Sequence, residues 1–208
     1  MAKGNNGNLL QHTVEAELAW VLCKGAKPLT LLSTHGMAPY EPFEERSSNA
    51  QGVRALDAAL YRAQSATNRK SAVLRAYRAT QASASHYPNS AEIIGALLGR
   101  VNLRGLVCEK DHQKSAALAK AWAGTSLRVH SGSWRAAMPL FVLPKPDSKT
   151  AWLISLDPYS FVEDPPNRDD AGGDLCPLDV ASLEGVVGAH LETGAPGALA
   201  VFCYSLLP

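Results

Sequence analysis

The sequence predicts an α/β protein built on a doubly wound, mainly parallel sheet with an inserted helical subdomain. Short runs of almost wholly apolar residues alternate with longer segments in which apolar residues recur every three or four positions. The short runs are typical of strands covered on both faces, and the longer segments are typical of amphipathic helices. Because such alternation favours parallel pairing, the expected fold is Rossmann-like, and residues 1–208 are expected to form a single domain.

The N-terminal part of the chain provides the first predicted helix and strand. After a polar lead over residues 4–8, apolar residues at helical spacing predict a helix from His12 to Leu22. The run Leu29 to Ser33 predicts a buried strand that ends in a turn containing His35 and Gly36. A glycine in that turn would let the backbone approach a ligand closely.

Residues 41–87 form the predicted insertion, in which helical spacing recurs twice. From Arg46 to Tyr87 the sequence has seven basic residues and one acidic residue, whereas Asp157 to Glu192 has nine acidic residues and one basic residue. A basic segment beside an acidic one can steer a polyanion to one side of a protein, but a solvated helix face has the same composition. The candidate contacts to nucleic acid are Arg69, Lys70, Arg75 and Arg78.

After the insertion, helices and strands alternate to the end of the chain. Asn89 can accept a hydrogen bond at a helix start, and Glu92 can return one, as in a capping box. The later predicted elements are a strand over Leu103–Cys108, a helix from Asp111 to Trp122, a strand over Leu127–Val129, a helix to about Phe141, a strand over Trp152–Leu156, a helix over Pro177–Leu191 and a strand over Ala198–Tyr204.

The strand that ends at Leu156 is followed directly by Asp157 and Pro158, at the edge where open α/β sheets bind their ligands. Proline cannot donate a ladder hydrogen bond, so the chain leaves the sheet there. Glu109 follows the second buried strand, where a carboxylate can accept from both hydroxyls of a ribose. A plain strand exit is the alternative for Asp-Pro. The residues expected together at this edge are His35, Glu109, Gly132 and Asp157.

Several classes of protein are disfavoured. The chain has no Gly-x-Gly-x-x-Gly, no Gly-x-x-x-x-Gly-Lys and no Gly-x-Ser-x-Gly, which disfavours dinucleotide dehydrogenases, P-loop enzymes and serine hydrolases. Its four cysteines are far apart, and no histidine stands at zinc-site spacing, so we expect no metal site. No apolar run predicts a membrane helix or a signal peptide, and we expect a cytoplasmic location.

Six segments carry a resemblance to a known family over nearly the whole chain, in order and with comparable spacing. They are Gly7–Val14, Lys27–Gly36, Tyr87–Ser90, Cys108–Glu109, Ser131–Gly132 and Leu153–Tyr159. With these segments the chain resembles the bacterial 23S ribosomal RNA adenine-N6 methyltransferases, which use S-adenosylmethionine on a Rossmann-like sheet with a helical insertion. The resemblance implies that the cofactor pocket is lined by His12, His35, Gly36, Ser90, Glu109, Ser131, Gly132 and Asp157.

The segment Asp157-Pro158-Tyr159 has side chains of the types that adenine methylation needs. The exocyclic amine of adenine is a poor nucleophile because its lone pair is delocalised into the ring. A carboxylate from Asp157 and a carbonyl from Pro158 could accept its two N–H groups and aim the lone pair at a methyl sulfonium. Tyr159 could stack on a base that has left its helix.

The expected function is therefore S-adenosylmethionine-dependent methylation of adenine N6 in RNA, with ribosomal RNA as the substrate that the resemblance suggests. In this hypothesis the partner is an adenine-containing RNA, and neither a metal nor a membrane is involved. The alternative is a catalytically degenerate relative that keeps the fold and binds nucleic acid or a protein partner without chemistry.

Overall fold

A five-stranded, all-parallel sheet with helices on both faces forms the core of the described part of the chain and confirms the predicted α/β, Rossmann-like fold. The computed structural model describes residues 6–24, 27–42, 86–142, 149–158 and 175–202. The helices are α1 (Asn6–Leu22), α2 (Ser90–Leu98), α3 (His112–Ala121), α4 (Trp134–Ala137) and α5 (Pro177–Leu191). The strands are β1 (Leu29–Ser33), β2 (Tyr40–Pro42), β3 (His86–Pro88), β4 (Leu103–Glu109), β5 (Ser126–Ser131), β6 (Ala151–Leu156) and β7 (Gly197–Val201).

The strand order of the large sheet is β5-β4-β1-β6-β7. The chain thus builds one half of the sheet through β4 and β5, returns to the other side of β1, and builds the second half through β6 and β7. The order reverses between β1 and β6, whose last paired residues are Ser33 and Ser155. In open α/β sheets the crevice outside the carboxyl ends at such a reversal is the usual place for a ligand.

Two apolar clusters fill the two faces of the sheet. Successive side chains of a strand point to opposite faces, so Leu31 belongs to the first cluster and Leu32 to the second. Helices α1, α2 and α3 cover the first cluster, and α4 and α5 cover the second. Every residue of β1 and β6 is buried, as expected for central strands with helices on both sides.

Several predicted boundaries are wrong by a few residues. Helix α1 begins at Asn6, so the last part of the predicted polar lead is helical despite the low helix propensity of asparagine and glycine. Strand β5 extends to Ser131, two residues beyond the predicted end at Val129. Strand β7 ends at Val201, short of the predicted Tyr204, which lies outside the described residues.

The helix predicted to reach Phe141 is also different. Helix α4 has only four residues and is followed by a 3-10 helix over Met138–Val142. Pro139 lies in this second piece and has no N–H to donate, so a regular α-helix cannot continue through it.

Strands β2 and β3 pair as an antiparallel ribbon at the two ends of the predicted insertion. Tyr40 pairs with Pro88, and Pro42 pairs with His86. The described chain on either side of residues 43–85 therefore meets in this ribbon, next to the turn that follows β1. The predicted helices of the insertion, and with them Arg69, Lys70, Arg75 and Arg78, lie outside the described residues.

The two longest helices of the described ranges, α1 and α5, have 17 and 15 residues. Within those ranges, no helix has both the length and the apolar character that crossing a bilayer requires.

Gly105 in the middle of β4 provides a test of this architecture. Its φ of 121° and an added Cβ only 2.1 Å from the carbonyl oxygen of Leu31 allow no side chain. We expect Gly105→Ala to lower the free energy of unfolding by about 2–5 kcal/mol in urea titrations followed by circular dichroism. Gly185→Ala in α5 is the matched control, since nothing lies within 4 Å of the added methyl group. It should raise stability by about 0.5–1 kcal/mol, and equal effects of the two changes would contradict the register of β4.

Candidate functional site

The reversal point between β1 and β6 is held together by Thr34, the first residue after β1. Its backbone N–H donates to the carbonyl of Ser155 at 3.0 Å, and its hydroxyl accepts from the backbone N–H of Asp157 at 3.3 Å. The same hydroxyl lies 2.7 Å from Nδ1 of His35. Thr34 therefore brings two predicted site residues, His35 and Asp157, to one place. Sequence reasoning missed Thr34, and its position inside the turn after the first strand was the available signal.

His35 is an uncharged imidazole at neutral pH. Its pKa is lowered from 6.5 to about 4, mainly by burial and in smaller part by the positive charge of Arg135. Because the Thr34 hydroxyl engages Nδ1, the tautomer of His35 is coupled to the hydrogen bonds of the reversal point. The site therefore has an imidazole in the neutral form.

Glu109 connects the turn after β1 to the start of α3. One carboxylate oxygen accepts from the N–H of Met37 at 2.7 Å, and the other accepts from the N–H of Asp111 at 2.8 Å. The first bond holds Met37 at a φ of 59°, a left-handed conformation that is uncommon for residues other than glycine. A carboxylate has about four acceptor positions, so both oxygens can still accept from a ligand hydroxyl.

Gly36 packs closely against the protein itself. A Cβ added there would lie 3.0 Å from Cγ1 of Val107 and 3.1 Å from Cδ2 of Leu118. The glycine therefore lets the turn lie against β4 and α3. This packing differs from the predicted reason for a glycine, which was the approach of a ligand.

Asn89 ties the start of α2 to the same turn. Its side-chain amide donates to the carbonyls of Gly36 at 3.1 Å and Ala38 at 3.2 Å, while its Oδ1 accepts from the N–H of Glu92 at 2.9 Å. The predicted cap is therefore present, and it places the buried Ser90 beside the turn.

The prediction that the Glu92 side chain accepts from the backbone N–H of Asn89, as in a capping box, is wrong. The N–H of Asn89 donates to the carbonyl of Pro39, and the carboxylate of Glu92 instead accepts from Nη2 of Arg100 at 2.5 Å. An ion pair formed by a buried carboxylate is stronger than a bond to a neutral N–H, which accounts for the different partner.

Ser131 and Gly132 lie beside Glu109 at the ends of β4 and β5. Glu109 pairs with Ser131 in the sheet. The carbonyl of Glu109 accepts from the N–H of Gly132 at 3.0 Å. Gly132 has a φ of 144°, which favours glycine. The Ser131 hydroxyl is 2.8 Å from both Nδ1 of His112 and the hydroxyl of Ser115.

Helix α1 adds buried polar groups to the same edge. His12 is buried, and burial lowers its pKa, although the neighbouring Glu15 and a hydrogen bond to the backbone of Pro88 act in the opposite direction. Glu15 is 1% exposed, and its Oε1 accepts from the hydroxyl of Ser155 and from the amide of Gln11. Its Oε2 has no hydrogen-bond partner among the described residues. Sequence reasoning missed Glu15, whose only signal was an acid on the apolar side of a helix.

A buried ion pair on the second face joins α4 to α5. Nε of Arg135 is 2.9 Å from Oδ1 of Asp179, and Nη2 is 2.8 Å from Oδ2, a bidentate geometry. The N–H of Cys176 also donates to Oδ2 of Asp179. The pair anchors the start of α5. Neither residue was identified from the sequence, although Asp179 is the third helical residue of α5 and forms a capping box with Cys176, a local signal that was available.

Most of the predicted site residues are therefore collected at the carboxyl edge of the sheet. Those that lie there are His12, His35, Gly36, Ser90, Glu109, Ser131, Gly132, Asp157 and Pro158. Tyr159 lies outside the described residues. In the part of the chain that the structure describes, no group of three or more histidine, cysteine, aspartate or glutamate side chains could hold a metal ion.

The lowered pKa of His35 predicts a pH-dependent stability. Above pH 6.5 His35 is neutral in both the folded and unfolded states, and between pH 6.5 and about 4 only the unfolded state binds the proton. Stability should therefore fall as the pH drops through this window, and His12, with its lowered pKa, contributes in the same direction. Urea titrations at several pH values give the free energy of unfolding as a function of pH. This free energy should change less steeply with pH for His35→Asn than for the wild type. A slope equal to that of the wild type would contradict the assignment.

The chain matches no family model and no curated protein. Among solved structures, it is similar to protein LPL1258 from Legionella pneumophila str. Philadelphia 1, whose description assigns it to family DUF519. The similarity has a TM-score of 0.64 and 16% sequence identity, and it covers 96% of this chain and 68% of the other. At this level of identity the similarity supports the fold alone.

Proposed function

We propose that the protein is an S-adenosylmethionine-dependent methyltransferase that modifies N6 of adenine in RNA, with ribosomal RNA in the cytoplasm as its substrate. The observation that carries the proposal is the position of Asp157 and Pro158 directly after β6, at the reversal of strand order. Glu109 stands at the end of β4, on the other side of β1. This spacing suits a nucleoside cofactor that lies across the strand ends with its reactive group beside Asp157.

The charges of the site fit a cationic cofactor. S-adenosylmethionine has a sulfonium and an ammonium group, and the carboxylates of Glu15, Glu109 and Asp157 lie at this edge or just beneath it. His35 is neutral, and the buried Arg135 is paired with Asp179. A buried carboxylate oxygen without a described partner, Oε2 of Glu15, also fits a ligand that brings N–H donors.

In the proposed reaction the cofactor supplies an activated methyl group, and the protein prepares the amine. The carboxylate of Asp157 and the carbonyl of Pro158 accept the two N–H groups of adenine and draw the nitrogen lone pair out of the ring. The bond from the N–H of Asp157 to Thr34 fixes the main chain of this segment to β1. When the nitrogen gains the methyl group it loses a proton, for which the carboxylate of Asp157 is an acceptor.

A protein that binds RNA or a protein partner without chemistry is the second candidate function. The observation that favours it is the engagement of Glu109, whose two oxygens already accept from the N–H groups of Met37 and Asp111. If those bonds leave too little room for a ribose, the site would hold no nucleoside. Cofactor binding therefore separates the two candidates.

Calorimetric titration with S-adenosylhomocysteine tests the proposed cofactor. We expect saturable binding to the wild type, whereas absence of binding at millimolar ligand would favour the degenerate protein. Asp157→Ala should abolish transfer of a radiolabelled methyl group to RNA. It should leave the affinity for S-adenosylhomocysteine nearly unchanged, because this ligand has no sulfonium charge for the Asp157 carboxylate to attract and the side chain is proposed to act on the amine. Equal activity of the variant would remove Asp157 from the reaction.

The basic insertion gives a separate prediction about RNA. Each phosphate contact releases counterions, so affinity for RNA should fall steeply with salt concentration. Simultaneous replacement by glutamine of Arg69, Lys70, Arg75 and Arg78 should weaken binding about equally across RNA sequences and flatten the salt dependence. Filter binding over a salt series measures both effects, and calorimetry should show unaltered cofactor binding. An unchanged slope would make these residues part of an ordinary solvated surface.

A further inference from the structure

Glu15 is a buried acid whose hydrogen bonding is incomplete. Its side chain is 1% exposed, and its Oε1 accepts from Ser155 and Gln11, but its Oε2 has no partner among the described residues. Buried polar atoms in native proteins are almost always paired, because an unpaired one has lost its water without compensation. An oxygen of this kind indicates that a donor from outside the described chain completes the site.

The neighbours of Glu15 do not supply a positive charge. His12, one helical turn earlier, has a lowered pKa and is uncharged at neutral pH. Arg135 is on the second face of the sheet and is paired with Asp179, and Arg100 is paired with Glu92. Within the described ranges the carboxylate thus lacks a cation, so a cationic donor fits it better than a neutral one.

Glu15 is also directly connected to the reversal point. Ser155, which donates to Glu15, accepts through its carbonyl from the N–H of Thr34 and precedes Asp157 by two residues. Glu15 therefore lies beneath the β1–β6 side of the edge, whereas Glu109 and Gly132 mark the β4–β5 side. A nucleoside cofactor with its ribose at Glu109 would direct its opposite end towards α1.

We propose that Oε2 of Glu15 binds the α-ammonium group of the amino-acid part of S-adenosylmethionine. The inference rests on the proposed methyltransferase function and assigns to Glu15 a binding role. The ammonium group provides the N–H donors and the positive charge that the buried carboxylate lacks. The hydrogen bond from Ser155 holds the carboxylate in the orientation that presents Oε2 to the ligand.

The test compares two ligands that differ in the amino-acid part. S-adenosylhomocysteine has the ammonium group, whereas 5′-methylthioadenosine keeps the adenosine and the thioether and lacks the amino acid. By calorimetry, Glu15→Gln should bind S-adenosylhomocysteine at least about tenfold more weakly than the wild type does, since a hydrogen bond between charged groups is lost. Its affinity for 5′-methylthioadenosine should stay within about twofold.

Glu17→Gln is the matched control, because it removes the same charge from the same helix at an exposed position. It should leave both affinities unchanged. The deaminated analogue of S-adenosylhomocysteine extends the test to the wild-type protein and does not depend on the folding of any variant. The wild type should bind this analogue at least about tenfold more weakly than S-adenosylhomocysteine.

The outcomes separate the inference from the function on which it rests. If the wild type binds neither nucleoside, the proposed function fails and the inference fails with it. If the wild type binds S-adenosylhomocysteine and its deaminated analogue equally, the function stands and Glu15 is not the ammonium site. If Glu15→Gln lost affinity equally for S-adenosylhomocysteine and 5′-methylthioadenosine, the inference would likewise be overturned, because equal losses would indicate a general distortion of the pocket.

Discussion

The hydrogen bonds between the ends of β1 and β6 are the interaction on which the candidate site depends. Thr34 donates to the carbonyl of Ser155 and accepts from the N–H of Asp157, so two strands separated by more than a hundred residues end at the same place. A parallel sheet leaves a crevice where its strand order reverses, and these bonds determine which side chains border it. The Ser155 hydroxyl extends the network to Glu15 and so couples α1 to the same point.

The electrostatics of the edge follow from where the cations are buried. A buried guanidinium is tolerated only when it is paired, and Arg135 meets this condition through its two bonds to Asp179. The pairing with Asp179 partly offsets the positive charge of Arg135, which still helps burial to lower the pKa of His35. The edge therefore combines carboxylates with a neutral imidazole, an arrangement that favours cationic ligands.

Residues identified from the sequence have partners that the sequence did not indicate. Gly36 was expected to make room for a ligand, yet the space beside it is occupied by Val107 and Leu118. Glu109 was expected to meet a ribose, and it also accepts from Met37, 72 positions away in the chain. A residue type and its place at a strand end indicate that it borders the crevice. Its partners depend on which other strands and turns are its neighbours, and these come from distant parts of the chain.

The sequence by itself determined the strand–helix alternation, the helix starts at Asn89 and Asp111, and the position of Asp157 at a strand exit. These features are local, because a cap joins residues two or three positions apart and a buried strand is a continuous apolar run. Only the tertiary structure decided the sheet order, the burial of Glu15 against Ser155 and the pairing of Arg135 with Asp179. The physical reason is that these contacts join residues 140 and 44 positions apart, and the cost or gain of a buried charge exists only once packing has removed the water around it.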